Sequence, residues 1–524
     1  MSTKNPFPQI PKDQVTPIVA DLLEIIQLQK EEIQLLRDEI ARLKNQKPKP
    51  KIKPSKLEPH SSGNKTKKNK KRRKKAKNKK IEIHEHVPIK PDNLPAGSTF
   101  KGYQDYIVQD ILFDRWNICY RRERWQTPSG EYVLGQLPDD VAGSHFGSTM
   151  TAFILYQYYG CHVTQPLIEE QLHELGVNIS AGQINNILIK NKDRFHREKN
   201  RILSTGLKVS KHINVDDTGA RHKGKNGYCT HIGNDYFAWF KSTDSKSRIN
   251  FLNLLRCGHT EFVLNDHAFE YMATQKLPEG QLSKLRTHPD KVFKNETRWN
   301  NFLKRQKIKI KRHQRIATEA ALIGSILYHG VNPELAIISD DAGQFNVFRH
   351  GLCWVHAERT IQKIVGFTDH QNQLLEDIKA DIWHFYRDLK EYRISPDEIQ
   401  KQALEARFDN LFTRKTGFAT LDTALKRLFR NKDELLLVLK RPDIPLHNNL
   451  SEQDIREYVK RRKISGSTRS DTGQKCRDTF TSLKKTCRKL GLSFWNYLKD
   501  RIEQQNKYPP LDEIMATQLR SAGG

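Results

Sequence analysis

The sequence predicts a mixed α/β protein whose folded part follows an N-terminal coiled-coil helix and a basic linker. Three observations carry that expectation. Short β-branched runs at 213–215 and 335–339 lead straight into acids, Asp216-Asp217 and Asp340-Asp341, as strands feeding a site do. The stretches around them, above all 267–334 and 368–440, carry helical periodicity. Val19, Ile26, Ile33 and Ile40 recur every seven residues, with Leu22, Gln29, Leu36 and Leu43 in the second seam position.

At 524 residues and 61.0 kDa the chain has room for two or three folding units. Lys plus Arg number 90 against 61 acids, a net charge of +29, which favours a polyanionic partner. Residues 51–80 hold fifteen of those cations against one Glu, so +14 of the excess sits in one short segment. Seven cysteines are scattered without a CxxC pair, the pattern of reduced thiols rather than of a zinc site. The first residues lack the apolar stretch of a signal peptide, and no run of about 18 apolar residues occurs. No membrane association is expected, and the location expected is the cytoplasm.

In chain order, Thr16 is a helix N-cap and Pro17 the first helical residue. The heptads then make 16–45 a coiled-coil helix, and β-branched residues in one seam with mostly Leu in the other favour a parallel homodimer. Residues 46–80 are too poor in apolar side chains to build a core and read as a disordered basic linker. Such an arm suits phosphate binding that weakens as salt rises.

Residues 81–208 are expected to form a DNA-binding region, beginning with a small β-rich unit over about 93–140. At about 162–190 a helix from Gln165, a turn at 176–178 and a second helix capped by Ser180 have helix-turn-helix spacing. Gln183, Asn185 and Asn186 fall on or near the polar face of the second helix, where Gln and Asn can read adenine edges. An ordinary helical hairpin gives the same pattern.

Residues 209–470 carry the candidate chemistry. Segment 211–240 reads as three strands, with a hairpin signal at Asn226-Gly227. Alternation sets Asp216 on the side of Asn214, opposite Ile213 and Val215. A short strand at 261–266 ends in Asp266, and the buried-strand run 335–339 ends in Asp340. Near Leu450 a helix begins with Glu452 in its first turn, Ile455, Tyr458 and Val459 on one apolar face, and Lys460-Arg461-Arg462 toward its end. Two amphipathic helices and a loose tail from Lys507 fill 471–524.

Asp216, Asp340 and Glu452 are 124 and 112 residues apart. Brought together, three such carboxylates can hold two divalent cations about 4 Å apart for phosphodiester displacement, and oxygen ligands favour Mg2+ or Mn2+. Singly, each acid also suits a turn or a helix start.

The blocks INVDDTGARHKGKN, AIISDDAGQFN with GLCWVHAER, and HNNLSEQDIREYVKRRKISGS resemble the DDE transposases of the insertion-sequence-66 family. The resemblance implies a ribonuclease-H-like core with helical insertions, and it makes Asp216, Asp340 and Glu452 the catalytic and metal-binding triad with two Mg2+ or Mn2+ ions. Asp266 remains the rival second acid. The resemblance further implies cleavage and strand transfer at transposon ends, double-stranded DNA as partner, accessory transposition proteins, and a bacterial, nucleoid-associated setting. The cysteine-rich zinc segment of many relatives has no counterpart here, and Cys353 and His356 are expected to be structural or near DNA. Lys223 and Lys225 beside Asp216, and Lys460, Arg461 and Arg462 beyond Glu452, are expected to meet the DNA backbone. The alternative is a non-catalytic, sequence-specific DNA-binding regulator built on the same zipper and basic segments.

Overall fold

The computed structural model describes residues 83–91, 98–101, 103–111, 114–138 and 145–522, with a few positions between 16 and 33. Most of the expected coiled coil at 16–45 and the whole linker at 46–80 lie outside the described residues; the positions described between 19 and 33 are helical.

Strands β1 (Arg124–Gln126) and β2 (Tyr132–Leu134) pair in an antiparallel ribbon with every residue exposed. This is all the strand structure that the expected β-rich unit of 93–140 shows among the described residues. A two-stranded ribbon has no second layer to cover its aromatics, so Trp125 and Tyr132 stay exposed.

Helix α1 (Ser148–Leu155) runs into one π-helical turn, Tyr156–Gly160. The segment expected as a helix-turn-helix folds as two consecutive helices, α2 (Gln165–Glu174) and α3 (Ala181–Ile189), with Ser180 capping α3 in a capping box with Gln183. Next comes α4 (Asp193–Val209). Ile168, Ile184 and Leu188 of this region share one core with Ile213 and Val215 and with Phe480 near the C-terminus. Helices α2 and α3 are thus built onto the body of the protein.

Strands β3 (His212–Gly219), β4 (Tyr228–Gly233) and β5 (Ala238–Thr243) form an antiparallel meander. The tip of the β3–β4 hairpin corrects the expected turn. His222 pairs with Lys225, and the two residues between them, Lys223 and Gly224, have φ of 48° and 76°. Both lie in the left-handed region that two-residue hairpin turns require, so the turn is Lys223-Gly224 and Asn226-Gly227 belongs to the returning arm.

A mainly helical segment lies in sequence between β5 and the next strand of the sheet. It comprises α5 (Arg248–Leu255), β6 (Phe262–Val263), α6 (Asp266–Thr274), α7 (Glu279–Thr287), β7 (Val292–Phe293), α8 (Glu296–Arg305) and the largely buried α9 (Lys311–Tyr328). Strands β6 and β7 form a separate two-stranded ribbon. The sheet then resumes with β8 (Ala336–Ser339) and β9 (Arg349–Leu352), each parallel to its neighbour, giving the order β5-β4-β3-β8-β9. All four residues of β8 are buried because both its faces are covered. Ile337 enters the core shared with α2 and α3, while Ala336 and Ile338 enter a second core.

That second core surrounds Trp354, at the start of α10 (Trp354–Gln362). It is completed by α11 (Asp369–Ile394), α12 (Glu398–Phe412), α13 (Ala419–Arg430) and the single turns α14 (Lys432–Leu435) and α15 (Leu437–Lys440). The chain returns to the sheet as α16 (Asn449–Ser465), whose Ile455 and Tyr458 pack on Ala238 and Phe240. Helices α17 (Asp471–Lys489), α18 (Phe494–Ile502) and α19 (Leu511–Ala522) close the molecule.

Helix α19 corrects the expectation of a loose tail. Leu511 and Met515 are fully buried, and the Leu511 N–H donates to Glu198 of α4 at 3.0 Å. Glu198 is itself held by Arg501, at 3.0 Å from each of two nitrogens. Among the described residues no helix is long and apolar enough to cross a membrane, and all seven cysteines are free.

Candidate active site

The alternation of β3 decides what faces the site. Ile213 and Val215 point into the main core, leaving Asn214 and Asp216 on the face that α16 covers. The Asp216 Oδ1 accepts the N–H of Asp217 at 2.7 Å. Burial, then the charge of Asp340, pushes the Asp216 carboxyl up to about 7, with Asp217 and Glu452 adding to the effect. Residues from β3, the end of β8 and the first turn of α16 therefore lie close enough to feel one another's charge.

Asp340 follows the last residue of β8, and its Oδ1 is buried without a hydrogen-bond partner. Asp266, the rival, is the first residue of α6, outside the five-stranded sheet. Asp340, by contrast, extends the strand that pairs parallel with β3, where Asn214 lies opposite Ile338. Asp217 is engaged elsewhere: Thr230 donates to its Oδ1 at 2.5 Å and Gln344 to its Oδ2 at 3.1 Å.

Glu452 is gripped from α10. Arg359 Nη1 donates to its Oε1 at 3.1 Å, and His356 Nε2 stands 3.5 Å from the same oxygen. Burial holds His356 below the ordinary imidazole range, so it is neutral near pH 7. The ligand atoms of the three acids do not all come within 4.8 Å of one another.

The one such trio among the described residues is His259, Glu261 and His329, none of them one of the three acids. Its two imidazoles are stacked 3.5 Å apart and within 7° of parallel. Parallel rings share no common plane, so their in-plane lone pairs cannot meet at one ion in this arrangement.

Several residues frame the site through contacts that spacing in the sequence does not show. Asn448 donates through Nδ2 to Val215 O at 2.7 Å, accepts from Asn214 at 2.9 Å, and donates its N–H to Cys353 Sγ at 3.1 Å. Cys353 is thereby a buried structural acceptor, as expected of it. His231, opposite Asp216 in the β3–β4 register, is hydrogen-bonded to Ser451 at 2.8 Å and to Asp454 at 3.1 Å. Burial alone would raise the Asp454 carboxyl, but His231, Lys489 and Lys485 hold it well below the usual carboxylate range. A buried charge network thus fixes α16 against the sheet on both sides of Glu452.

The residues expected to meet DNA have mixed placements. Asn186, Lys225 and Lys460 are exposed, and Asn185 is half-buried, accepting from Gln165 at 3.3 Å. The Gln183 side chain is exposed but spent on the α3 cap. Lys223 pairs with Asp471 at 2.7 Å, and Arg462 donates to Thr218 at 3.3 Å. Arg461 departs from expectation: it is buried, donates to Tyr158 O at 2.8 Å and stacks 3.7 Å over the Tyr158 ring. It lies on the inward face of α16, where it ties the helix to the π turn rather than facing solvent.

With this geometry in hand, residues 337–476 match the family described as Transposase IS66 family. The match begins inside β8 and ends in α17, and so takes in Asp340, Arg359 and Glu452. The chain is also 46% identical, over 303 residues, to the "Uncharacterized protein y4jO" of Sinorhizobium fredii (strain NBRC 101917 / NGR234). That similarity covers 57% of this chain and 94% of the relative.

Proposed function

We propose that this chain, which belongs to one family with y4jO and carries an IS66 transposase family domain, is a DNA transposase that cuts and joins the ends of an insertion sequence. The observation that carries the reading is where the three acids stand: Asp216 on β3, Asp340 one residue past β8, which pairs parallel with β3 and sets Asn214 opposite Ile338, and Glu452 in the first turn of α16, which packs on β3. The strand order, three antiparallel strands followed by two parallel ones, supports a ribonuclease-H-like core.

The residues present fit a divalent cation. A buried carboxylate oxygen with no donor and a neighbouring carboxyl driven up by burial and then by acidic charge make a site short of positive charge. Asp216, Asp340 and Glu452 would hold Mg2+ or Mn2+, two ions in the full reading. The chemistry such cations supply is activation of a water or 3′-hydroxyl and stabilisation of the departing oxygen. Hydrolysis of the phosphodiester leaves a 3′-hydroxyl at the transposon end. That hydroxyl then displaces the 3′-oxygen of a target phosphodiester, so one P–O bond forms as another breaks.

The chain's own residues prepare this. Asn448 sets α16 at a fixed height on β3, and His231 with Asp454 locks its second turn. Asn185, Asn186, Lys225 and Lys460 are the side chains we assign to DNA contact, and the basic arm at 46–80 adds salt-sensitive affinity. Residues 16–45 would pair two copies. Purified protein incubated with Mg2+ and DNA carrying the element's ends should yield cut and joined products, while Asp216→Asn and Glu452→Gln should yield neither yet still bind the DNA. Binding without cleavage by the unaltered protein would instead favour a DNA-binding regulator.

A further inference from the structure

Arg359 stands out as a cation inside a cluster of acids. It lies on α10, one turn beyond His356, and both side chains converge on the same oxygen of Glu452. Its guanidinium is 3.1 Å from Glu452 Oε1 and 3.3 Å from His356 Nε2. Arg359, whose guanidinium stays protonated, brings a full positive charge into direct contact with Glu452. Arg359 and Glu452 are about one-fifth exposed, so solvent screens the pair only in part.

Among the described residues Asp340 Oδ1 has no hydrogen-bond partner, and Asp216 Oδ1 accepts a backbone N–H. The acids are therefore unequally served: one is neutralised by the chain, and two are left to an external cation. A carboxylate oxygen bound to a guanidinium has less charge and fewer lone pairs to offer a metal.

We propose that Arg359 is a positioning residue that holds Glu452 in the metal-free enzyme and competes with the divalent cation for it, thereby setting the metal concentration at which the site fills. The inference rests on the reading of the three acids as metal ligands. It predicts a direction opposite to that of a merely supportive residue: removing the guanidinium strengthens metal binding instead of weakening it. The ion pair is worth about 1.4 kcal/mol if its loss tightens binding tenfold.

The test is calorimetric titration of full-length protein with Mn2+ in the absence of DNA. Four proteins are compared: the unaltered chain, Arg359→Met, Arg359→Lys and Glu452→Gln, each checked for an unchanged circular-dichroism melt. Arg359→Met should bind Mn2+ about tenfold more tightly, and Arg359→Lys, which keeps a cation there, should stay near the unaltered value. Glu452→Gln should bind more weakly. If Arg359→Met binds no more tightly than the unaltered protein while Glu452→Gln weakens binding, the competition is overturned and the metal reading stands. If no protein binds Mn2+, or Glu452→Gln binds as the unaltered chain does, the metal reading falls and takes this inference with it. Should Arg359→Met melt differently, Arg359→Gln is titrated in its place against the same criteria.

Discussion

Asn214 and Asn448, 234 residues apart in sequence, are joined by a hydrogen bond of 2.9 Å between their side-chain amides. The bond is buried, and it fixes the start of α16 directly against the strand that carries Asp216. Through it, two elements bearing acids of the site are set in one frame before any ligand binds. Asn448→Ala would remove this bond and the one to Val215 O, leaving a buried carbonyl and amide unsatisfied. The expected loss is about 2–4 kcal/mol of stability. Cleavage should fall further than the folded fraction does, which chemical denaturation and a strand-cleavage assay on the same preparation would separate.

Asp216 should make the metal-free protein less stable as pH rises. Its carboxyl stands at about 7 in the fold against an ordinary value of 3.8. The folded state therefore holds a proton that the unfolded state has lost, and stability declines as pH climbs from about 4 through 7. Asp216→Asn should be the more stable protein at pH 8, by on the order of 1–3 kcal/mol, while losing cleavage. Urea denaturation at pH 5 and pH 8 without added metal measures this; equal stability of both proteins at pH 8 would contradict it.

His196 predicts the opposite slope at acid pH. Burial, reinforced by Lys475 and Lys199, pushes its imidazole down to about 4 from the ordinary 6.5. Its Nδ1 is hydrogen-bonded to Thr479 at 2.8 Å. Between those values the unfolded chain binds the proton and the fold does not, so His196's contribution is full above 6.5 and is lost as pH falls toward 4. His196→Asn should flatten the melting temperature over that window relative to the unaltered chain.

The C-terminal helix should be part of the folding unit. Replacing Met515 by Ala opens a cavity between α19 and its neighbours, with an expected cost of about 2–4 kcal/mol. Arg520→Ala, in an exposed last turn, should change stability by less than about 0.5 kcal/mol. Paired thermal melts distinguish a docked helix from a dispensable tail.

What the sequence made legible was local. Strand β8 could be read because both its faces are buried, which leaves a continuous apolar run ending in an acid. Glu452 could be placed because a proline break and an apolar helical face fix the start of α16. The hairpin tip could not be settled, since Gly224 and Gly227 offer rival turns and only the His222–Lys225 pairing decides between them. Arg461 looked like one of a basic run; that it turns inward depends on Tyr158, some 300 residues earlier in the chain. Helix α19 was obscured for the same reason, its anchor Glu198 being 313 residues away. Asn448, His231 and Arg359 work through partners that no spacing rule brings together.

The central claim is that Asp340, and not Asp266, completes the site with Asp216 and Glu452. The direct measurement is the rate of Mg2+-dependent cleavage of DNA carrying the element's ends by Asp340→Asn and by Asp266→Asn, with folding confirmed for both. Loss of about a thousandfold or more for Asp340→Asn, with Asp266→Asn within severalfold of the unaltered protein, is the predicted result. Cleavage at an undiminished rate by Asp340→Asn would contradict the account.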